Sequence, residues 1–244
     1  MKILLTVAYD GTQYAGWQRQ KNAVTVQQRL EESLCDLLQQ SVKLIGASRT
    51  DAGVHAEGQR AAFDIEALPL PVEKLPFVLN NSLPQDIAVI ASEVRPDDFH
   101  PRFDAKQKTY RYTICNAAYP DPFSRRYSAY VPQKINISEM KNAARFFIGR
   151  HDFASFCAAG GSNVTTVRRV IDCSLHAENN IVTLTVTGEA FLYNMVRIIA
   201  GTLLYVGLGK IESESVAQII NSRDRSRAGV TMPPEGLTLI EIQY

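Results

Sequence analysis

The chain has 244 residues, 45% of them hydrophobic and 21% charged, with a formal net charge of +1; these are globular values that exclude a disordered or fibrous chain. Its longest apolar runs, such as 198–206, stop short of the roughly 18 to 20 residues a membrane span requires. Met1-Lys2-Ile3-Leu4-Leu5 alternates like a strand and lacks the apolar segment and small-residue cleavage site of a signal peptide, so a cytoplasmic protein with no membrane partner is expected.

In chain order, residues 2–9 place Ile3, Leu5, Val7 and Tyr9 on one face with a period of two, a strand that Asp10-Gly11 ends. Thr25 with Gln28 three positions later forms a capping box for a helix whose stripe is Val26, Leu30, Leu34, Leu37 and Leu38, with Arg29, Glu32 and Asp36 opposite. Strands near 42–47 and 59–65 flank a loop containing Asp51-Ala52-Gly53, a Pro-rich stretch at 68–76 leads into a short helix near 77–81, and 87–94 reads as a strand. Strand-helix-strand-strand-helix-strand is the order of a split βαβ unit of the ferredoxin-like type. A looser second version follows: a strand at 105–115, a helix capped by Asn136 and Glu139 and carrying Met140, Ala144, Phe147 and Ile148, and strands near 167–176 and 181–187 meeting at Asn179-Asn180. Helices at 191–206 and 215–220 and a last strand at 237–242 complete it. The expected class is therefore α+β, in two halves, 1–104 and 105–244. The first half holds 10 Lys+Arg against 14 Asp+Glu, net −4, and the second 16 against 11, net +5, which is compatible with a polyanionic partner and equally with solvated surface charge.

The four cysteines, Cys35, Cys115, Cys157 and Cys173, never form a C-x-x-C pair, which argues against a zinc site and a disulfide framework. Residues 9–20 crowd aromatics, amides and Arg19 into one loop, which suits base stacking, or else a turn whose Tyr14 and Trp17 pack on the core. Asp51 before Ala-Gly is either a turn residue bonding its own backbone or a carboxylate kept ionised beside Arg49, able to act as nucleophile or base. Residues 106–112 alternate, with Lys106, Lys108, Tyr110 and Tyr112 on one face; such a face holds single-stranded RNA, or is simply the solvated face of a strand. Arg197, set in the apolar run after Phe191, wants a carboxylate partner if buried. His55, His100 and His151 show no ligand spacing for a metal. Neither a phosphate-binding glycine loop nor a metalloprotease or serine-hydrolase motif occurs, so a cofactor-free reaction without a metal is the economical expectation.

Together these segments closely resemble the tRNA pseudouridine synthase A family: Y-D-G-T-x-Y-x-G-W-Q-x-Q at 9–20, R-T-D-A-G-V-H-A at 49–56, L-N-x-x-L-P-x-D-I at 79–87, F-H-P-R-F at 99–103, K-x-Y-x-Y at 108–112, H-D-F-x-S-F at 151–156, F-L-Y-N-M-V-R at 191–197 and P-E-G-L at 234–237. The resemblance implies isomerisation of uridine to pseudouridine at positions 38, 39 and 40 of the tRNA anticodon stem-loop. It also implies a homodimer of subunits whose two ferredoxin-like halves join into one extended sheet around a central basic cleft. On that reading Asp51 is the nucleophile, attacking C6 of uracil or C1′ of the ribose. Tyr110 stacks on the target base, Arg197 pairs with the aspartate, and Arg49 fills the space left by a flipped base. Ser48 and Ala190 depart from the family's usual glycines, and Ser48 would be strained if its position needed positive φ. Two competitors come from other classes. One is a non-catalytic RNA-binding module of the same fold, which would have no use for a carboxylate facing phosphates. The other is a metal hydrolase built on the three histidines. Arg19, Lys106, Lys108, Arg168 and Arg169 are the candidate phosphate contacts.

Overall fold

The structure, a computed structural model, describes residues 1–161 and 164–244. Its elements run β1 (Lys2–Tyr9), α1 (Val26–Leu38), β2 (Ile45–Gly46), β3 (His55–Asp64), α2 (Leu75–Asn80), β4 (Ile87–Arg95), β5 (Gln107–Cys115), β6 (Ala129–Tyr130), α3 (Ile137–Ala144), β7 (Gly149–Asp152), β8 (Val167–Glu178), β9 (Ile181–Gly188), α4 (Met195–Gly207), α5 (Ser215–Ser222) and β10 (Leu237–Gln243). The chain is α+β. It divides into two compact units, one of Met1–Lys106 with Leu239–Tyr244 and the other of Gln107–Thr238. Among the described residues no helix is long and apolar enough to cross a membrane.

In the first unit β1 is an interior strand, antiparallel to both β3 and β4, with Leu5 opposite Ala61 on one side and Ser92 on the other. Coverage on both faces buries Leu4 as fully as Ile3 and Leu5, so the period-two pattern expected for 2–9 loses its polar face at this end. The strands run β4-β1-β3-β10, with β2 on β3. Thr25 caps α1 by accepting from the Gln28 amide at 3.3 Å, while the Gln28 side chain turns to Glu32 at 2.8 Å. Half of the expected capping box is thus used for an i,i+4 bond.

The strand expected over 42–47 shortens to two residues for a local reason. The Leu44 amide donates to Glu31 Oε1 at 3.0 Å, and its carbonyl accepts from Gln27 Nε2 at 3.0 Å. Side chains of α1 take the backbone groups that a ladder would have paired. The strand expected at 59–65 begins earlier, at His55.

In the second unit the order is β5-β9-β8-β7, with β6 parallel to β5. The β8–β9 hairpin turns at Asn179 and Asn180, φ +46° and +66°, the left-handed pair that a tight two-residue turn demands. α3 lies against β8 and α4, and α4 against β5. Two helix boundaries differ from expectation. α3 stops at Ala144, and a 3-10 turn over Arg145–Phe147 leaves Ile148 exposed beyond it. The apolar run from Phe191 is not helical until Met195, because Asn194 adopts φ +59° and ends the preceding loop.

Candidate active site

The residues proposed from sequence fall in both units, Arg49 and Asp51 in the first and Tyr110 and Arg197 in the second. Asp51 sits on a turn at the foot of β3. Its carbonyl accepts from the Val54 amide at 3.1 Å, and Gly53 takes φ +78°, a conformation that favours glycine. The turn is braced from the motif at 9–20. Tyr9 and Thr50 share a hydroxyl–hydroxyl bond of 2.7 Å, the Trp17 amide donates to the Thr50 carbonyl at 3.1 Å, and the Gly53 amide donates to the Tyr14 carbonyl at 3.3 Å. Gly16, at φ +87°, lies so close that a Cβ there would meet Thr50 O at 2.5 Å. On the other side Gln59 exchanges bonds with the Ser48 backbone, accepting from its amide at 3.3 Å and donating to its carbonyl at 2.7 Å.

This bracing decides the reading of residues 9–20. Trp17 is 2% exposed and Tyr14 is buried, so these rings are core and not a surface for bases. The Tyr14 hydroxyl donates to Asp86 Oδ1 at 2.5 Å and the Asp10 amide to the Asp86 carbonyl at 2.9 Å, which ties this loop to the motif at 79–87. Burial, and then the Asp86 carboxylate, push the Tyr14 hydroxyl above the ordinary tyrosine range. Asp51 is half-buried and Arg49 exposed. Ser48 is not among the residues with positive φ, so serine in place of glycine carries no strain there.

His55 belongs to the bracing as well. It is buried, its Nδ1 accepts from the Gly11 amide at 3.0 Å, and Asp10 Oδ1 lies 3.2 Å away. His100 Nδ1 accepts from the Arg102 and Phe103 amides, and His151 Nε2 contacts the Ile148 carbonyl. Each histidine is occupied within its own neighbourhood. Among the described residues no group of three His, Cys, Asp or Glu side chains could hold a metal ion.

In the second unit Tyr110 lies on β5 opposite Val186 of β9, 6% exposed, with its ring edge-on to Phe191 at 5.2 Å. On the face expected to be open to solvent or RNA, Lys106 is exposed, whereas Lys108, Tyr110 and Tyr112 are buried, and the Tyr112 hydroxyl donates to the Pro233 carbonyl at 2.7 Å. Burial raises the Tyr112 hydroxyl well above the usual tyrosine range, and the nearby Glu235 charge adds to the shift. Arg197 stands half-buried in the first turn of α4, donating from Nε to the Met232 carbonyl and from Nη1 to Asn194 Oδ1, both at 2.7 Å. Two of its partners are therefore neutral oxygens that fix the direction of its guanidinium.

Of the candidate phosphate contacts, Lys108 is buried, whereas Lys106 is exposed and so is Arg19, which Glu31 holds at 2.8 Å. Arg168 and Arg169, joined by Arg150, stand around a cavity of about 440 Å3 that Val167, Glu189 and Ala190 complete. Burial lowers the pKa of Arg168 from its ordinary value. Sequence reasoning missed Gln59 and Arg150. Gln59 had a signal, a lone amide in the apolar part of a strand, while Arg150 on the short β7 had none.

A family model described as tRNA pseudouridine synthase matches residues 5–104 and 143–244. The chain belongs to the tRNA pseudouridine synthase family. Arg49, Asp51 and Arg197 lie within the matched residues, and Tyr110 lies between the two matched segments. Relatives of nearly equal length bear it out. The chain is 48% identical over 242 residues to "tRNA pseudouridine synthase A" of Thermoanaerobacter sp. (strain X514), covering 99% of each chain. Identity to the protein of that name from Acetivibrio thermocellus is also 48%, and to "tRNA pseudouridine synthase A 2" of Clostridium perfringens it is 42%, each over 99% of both chains.

Proposed function

We propose that this chain isomerises uridine to pseudouridine at positions 38, 39 and 40 of the tRNA anticodon stem-loop, with Asp51 as nucleophile. The Asp51 carboxylate adds to C6 of uracil or to C1′ of the ribose, the N1–C1′ bond breaks, and the base turns within the site. C5 then bonds to C1′ and gives up its proton, N1 takes one up in its place, and the aspartate is released. Substrate and product are isomers, so the balance needs no co-reactant. Tyr110 stacks on the target base, Arg197 pairs with the Asp51 carboxylate and keeps it ionised, and the exposed Arg49 fills the space that the flipped nucleotide leaves. The architecture we infer is two ferredoxin-like halves, 1–104 and 105–244, joined into one extended sheet around a basic cleft, in a cytoplasmic homodimer.

The observation that carries this reading is the turn at 50–54, held by hydrogen bonds with Tyr9, Tyr14 and Trp17 within a chain of this family. A carboxylate serving only its own turn would not need a second motif to brace it.

Asp51→Asn tests the assignment. The amide is nearly isosteric and lacks the negative charge of a nucleophile, so the variant should melt like the parent, bind unmodified tRNA and form no pseudouridine. A folded, tRNA-binding variant that still isomerises uridine near the parent rate would falsify the role of Asp51. A parent that binds tRNA with no turnover would favour the non-catalytic binding module.

A further inference from the structure

The motif at 99–103 has no part in the reaction above, yet it is built with care. Residues 96–104 form a tight turn after β4. The Phe99 amide donates to the Pro96 carbonyl at 3.1 Å, and the Phe103 and Asp104 amides donate to the His100 carbonyl at 3.1 and 3.0 Å. Asp104 Oδ2 accepts from the His100 amide at 2.8 Å, and His100 Nδ1 accepts from the Arg102 and Phe103 amides at 3.2 and 3.3 Å.

Beneath the turn, Phe99 meets the Tyr244 ring edge-on at 4.9 Å, and the Arg95 guanidinium lies 5.2 Å from the Phe99 ring. The Tyr244 hydroxyl donates to the Pro101 carbonyl at 2.9 Å; burial, tempered by the nearby Arg60, leaves its pKa pushed up to about 12, so that donor is in place at neutral pH. On top, the His100 ring stacks on Phe103 at 4.2 Å with 30° between planes, and the Arg102 guanidinium lies 5.9 Å from the Phe103 centroid. Phe103 nonetheless remains 75% exposed.

We propose that Phe103, backed by His100 and flanked by Arg102, is a stacking platform for an unpaired nucleobase of the RNA substrate, an inference that rests on the reading that this chain acts on tRNA. Every base has a π-face, so a lone ordered ring accepts one without sequence readout, and a neighbouring cation strengthens the contact.

Size argues against a protein partner, because one aromatic side chain buries about 150 to 250 Å2 where a stable interface takes about 800 Å2 from each side. Charge separates base from phosphate. Asp97, Asp98 and Asp104, in the same turn as Arg102, are all exposed, a composition that disfavours a phosphate run and favours a neutral base as the ligand.

The test uses the full chain and unmodified tRNA. Trp17 is the single tryptophan and is 2% exposed, so Phe103→Trp adds a solvent-facing fluorophore whose signal belongs to position 103. Binding of tRNA should quench that emission. Phe103→Ala should melt like the parent and bind tRNA about 5- to 150-fold more weakly, with the dependence of log affinity on log salt unchanged. Phe103→Leu, apolar without a π-face, should behave like the alanine variant.

Absence of quenching while labelled tRNA is seen to bind by anisotropy overturns the proposal, as does parent-like affinity of Phe103→Ala. A reduced salt slope in Phe103→Ala overturns it in favour of a phosphate contact. Loss of an oligomer in that variant overturns it in favour of a second copy of the chain. A parent that binds no tRNA refutes the functional reading and this inference together, and is distinguishable because the defect is then in the parent.

Discussion

Thr50 is the residue through which the fold reaches Asp51. Its hydroxyl is bonded to Tyr9 and its carbonyl to the Trp17 amide, so the peptide that leads into Asp51 is fixed from both sides. Thr50→Val keeps the shape and removes the hydroxyl. On the proposed role of Asp51 it should lose about 1 kcal/mol of stability and lower kcat by up to about 100-fold, the scale on which small misplacements of reacting groups act, with KM for tRNA little changed. A loss confined to KM would place Thr50 in binding instead.

Tyr110 divides its possible roles by substitution in a similar way. Tyr110→Phe keeps the ring against Phe191 and removes only the hydroxyl, and if the role is stacking its turnover should stay near that of the parent. A loss of about 10²- to 10⁴-fold with tRNA affinity kept would assign proton transfer to the hydroxyl. Tyr110→Ala is less informative, because emptying so buried a site costs about 3 to 5 kcal/mol and a melt must accompany it.

At the scale of elements, periodicity and caps were the readable signals. β1, the β8–β9 hairpin and the start of α1 follow directly from alternation, from Asn179-Asn180 and from Thr25. Because the Thr25 hydroxyl serves one of the otherwise unpartnered amides of α1, Thr25→Ala should lower the melting free energy by about 0.5 to 2 kcal/mol, measured by denaturant titration, with the slope of the titration unchanged. What could not be read were positions where a side chain takes over a backbone role. Glu31 and Gln27 satisfy Leu44 and truncate β2, and nothing in the alternation of 42–47 announces a helix side chain arriving from elsewhere. Residues 9–20 have the composition of an RNA-facing loop, yet its rings serve as a buried brace while Arg19 and the glutamines stay exposed; the bonds to Thr50, Gly53 and Asp86 separate the two readings for the rings. The proposed site was legible as motifs and not as spacing. Asp51 before Ala-Gly has the pattern of any turn, and the role proposed for it came from the company of the other segments. Arg197 stood out as a cation in an apolar run, but the carbonyl of Met232, far away in sequence, could not be anticipated as its partner.

For the whole molecule, near-neutral charge hides an uneven distribution. If RNA is bound through phosphates, log affinity should fall linearly with log salt, at roughly 0.7 to 0.9 per contact. Around the cavity of the second unit, Arg150 and Arg169 are exposed, and the double variant Arg150→Gln, Arg169→Gln should reduce that slope by up to about 1.8. Substitution of Arg19, already committed to Glu31, should leave it unchanged. A slope identical in parent and double variant would remove this cavity from the RNA path.

The end of the chain carries one more consequence. Leu239–Tyr244 fold with residues 1–106, although the intervening 107–238 are made first. β10 lies beside β3, where Gly58 admits the Ile240 carbonyl so closely that a Cβ could not be fitted. On a ribosome adding about 5 to 20 residues per second, the first unit, whose turn carries Asp51, must wait roughly 7 to 26 s for its last strand. Throughout that interval the part of the β3 edge that β2 leaves uncovered stays unpaired, the feature that invites mispairing between nascent chains. The first unit is thus begun before the second and completed after it, and its assembly is timed by translation of the other unit.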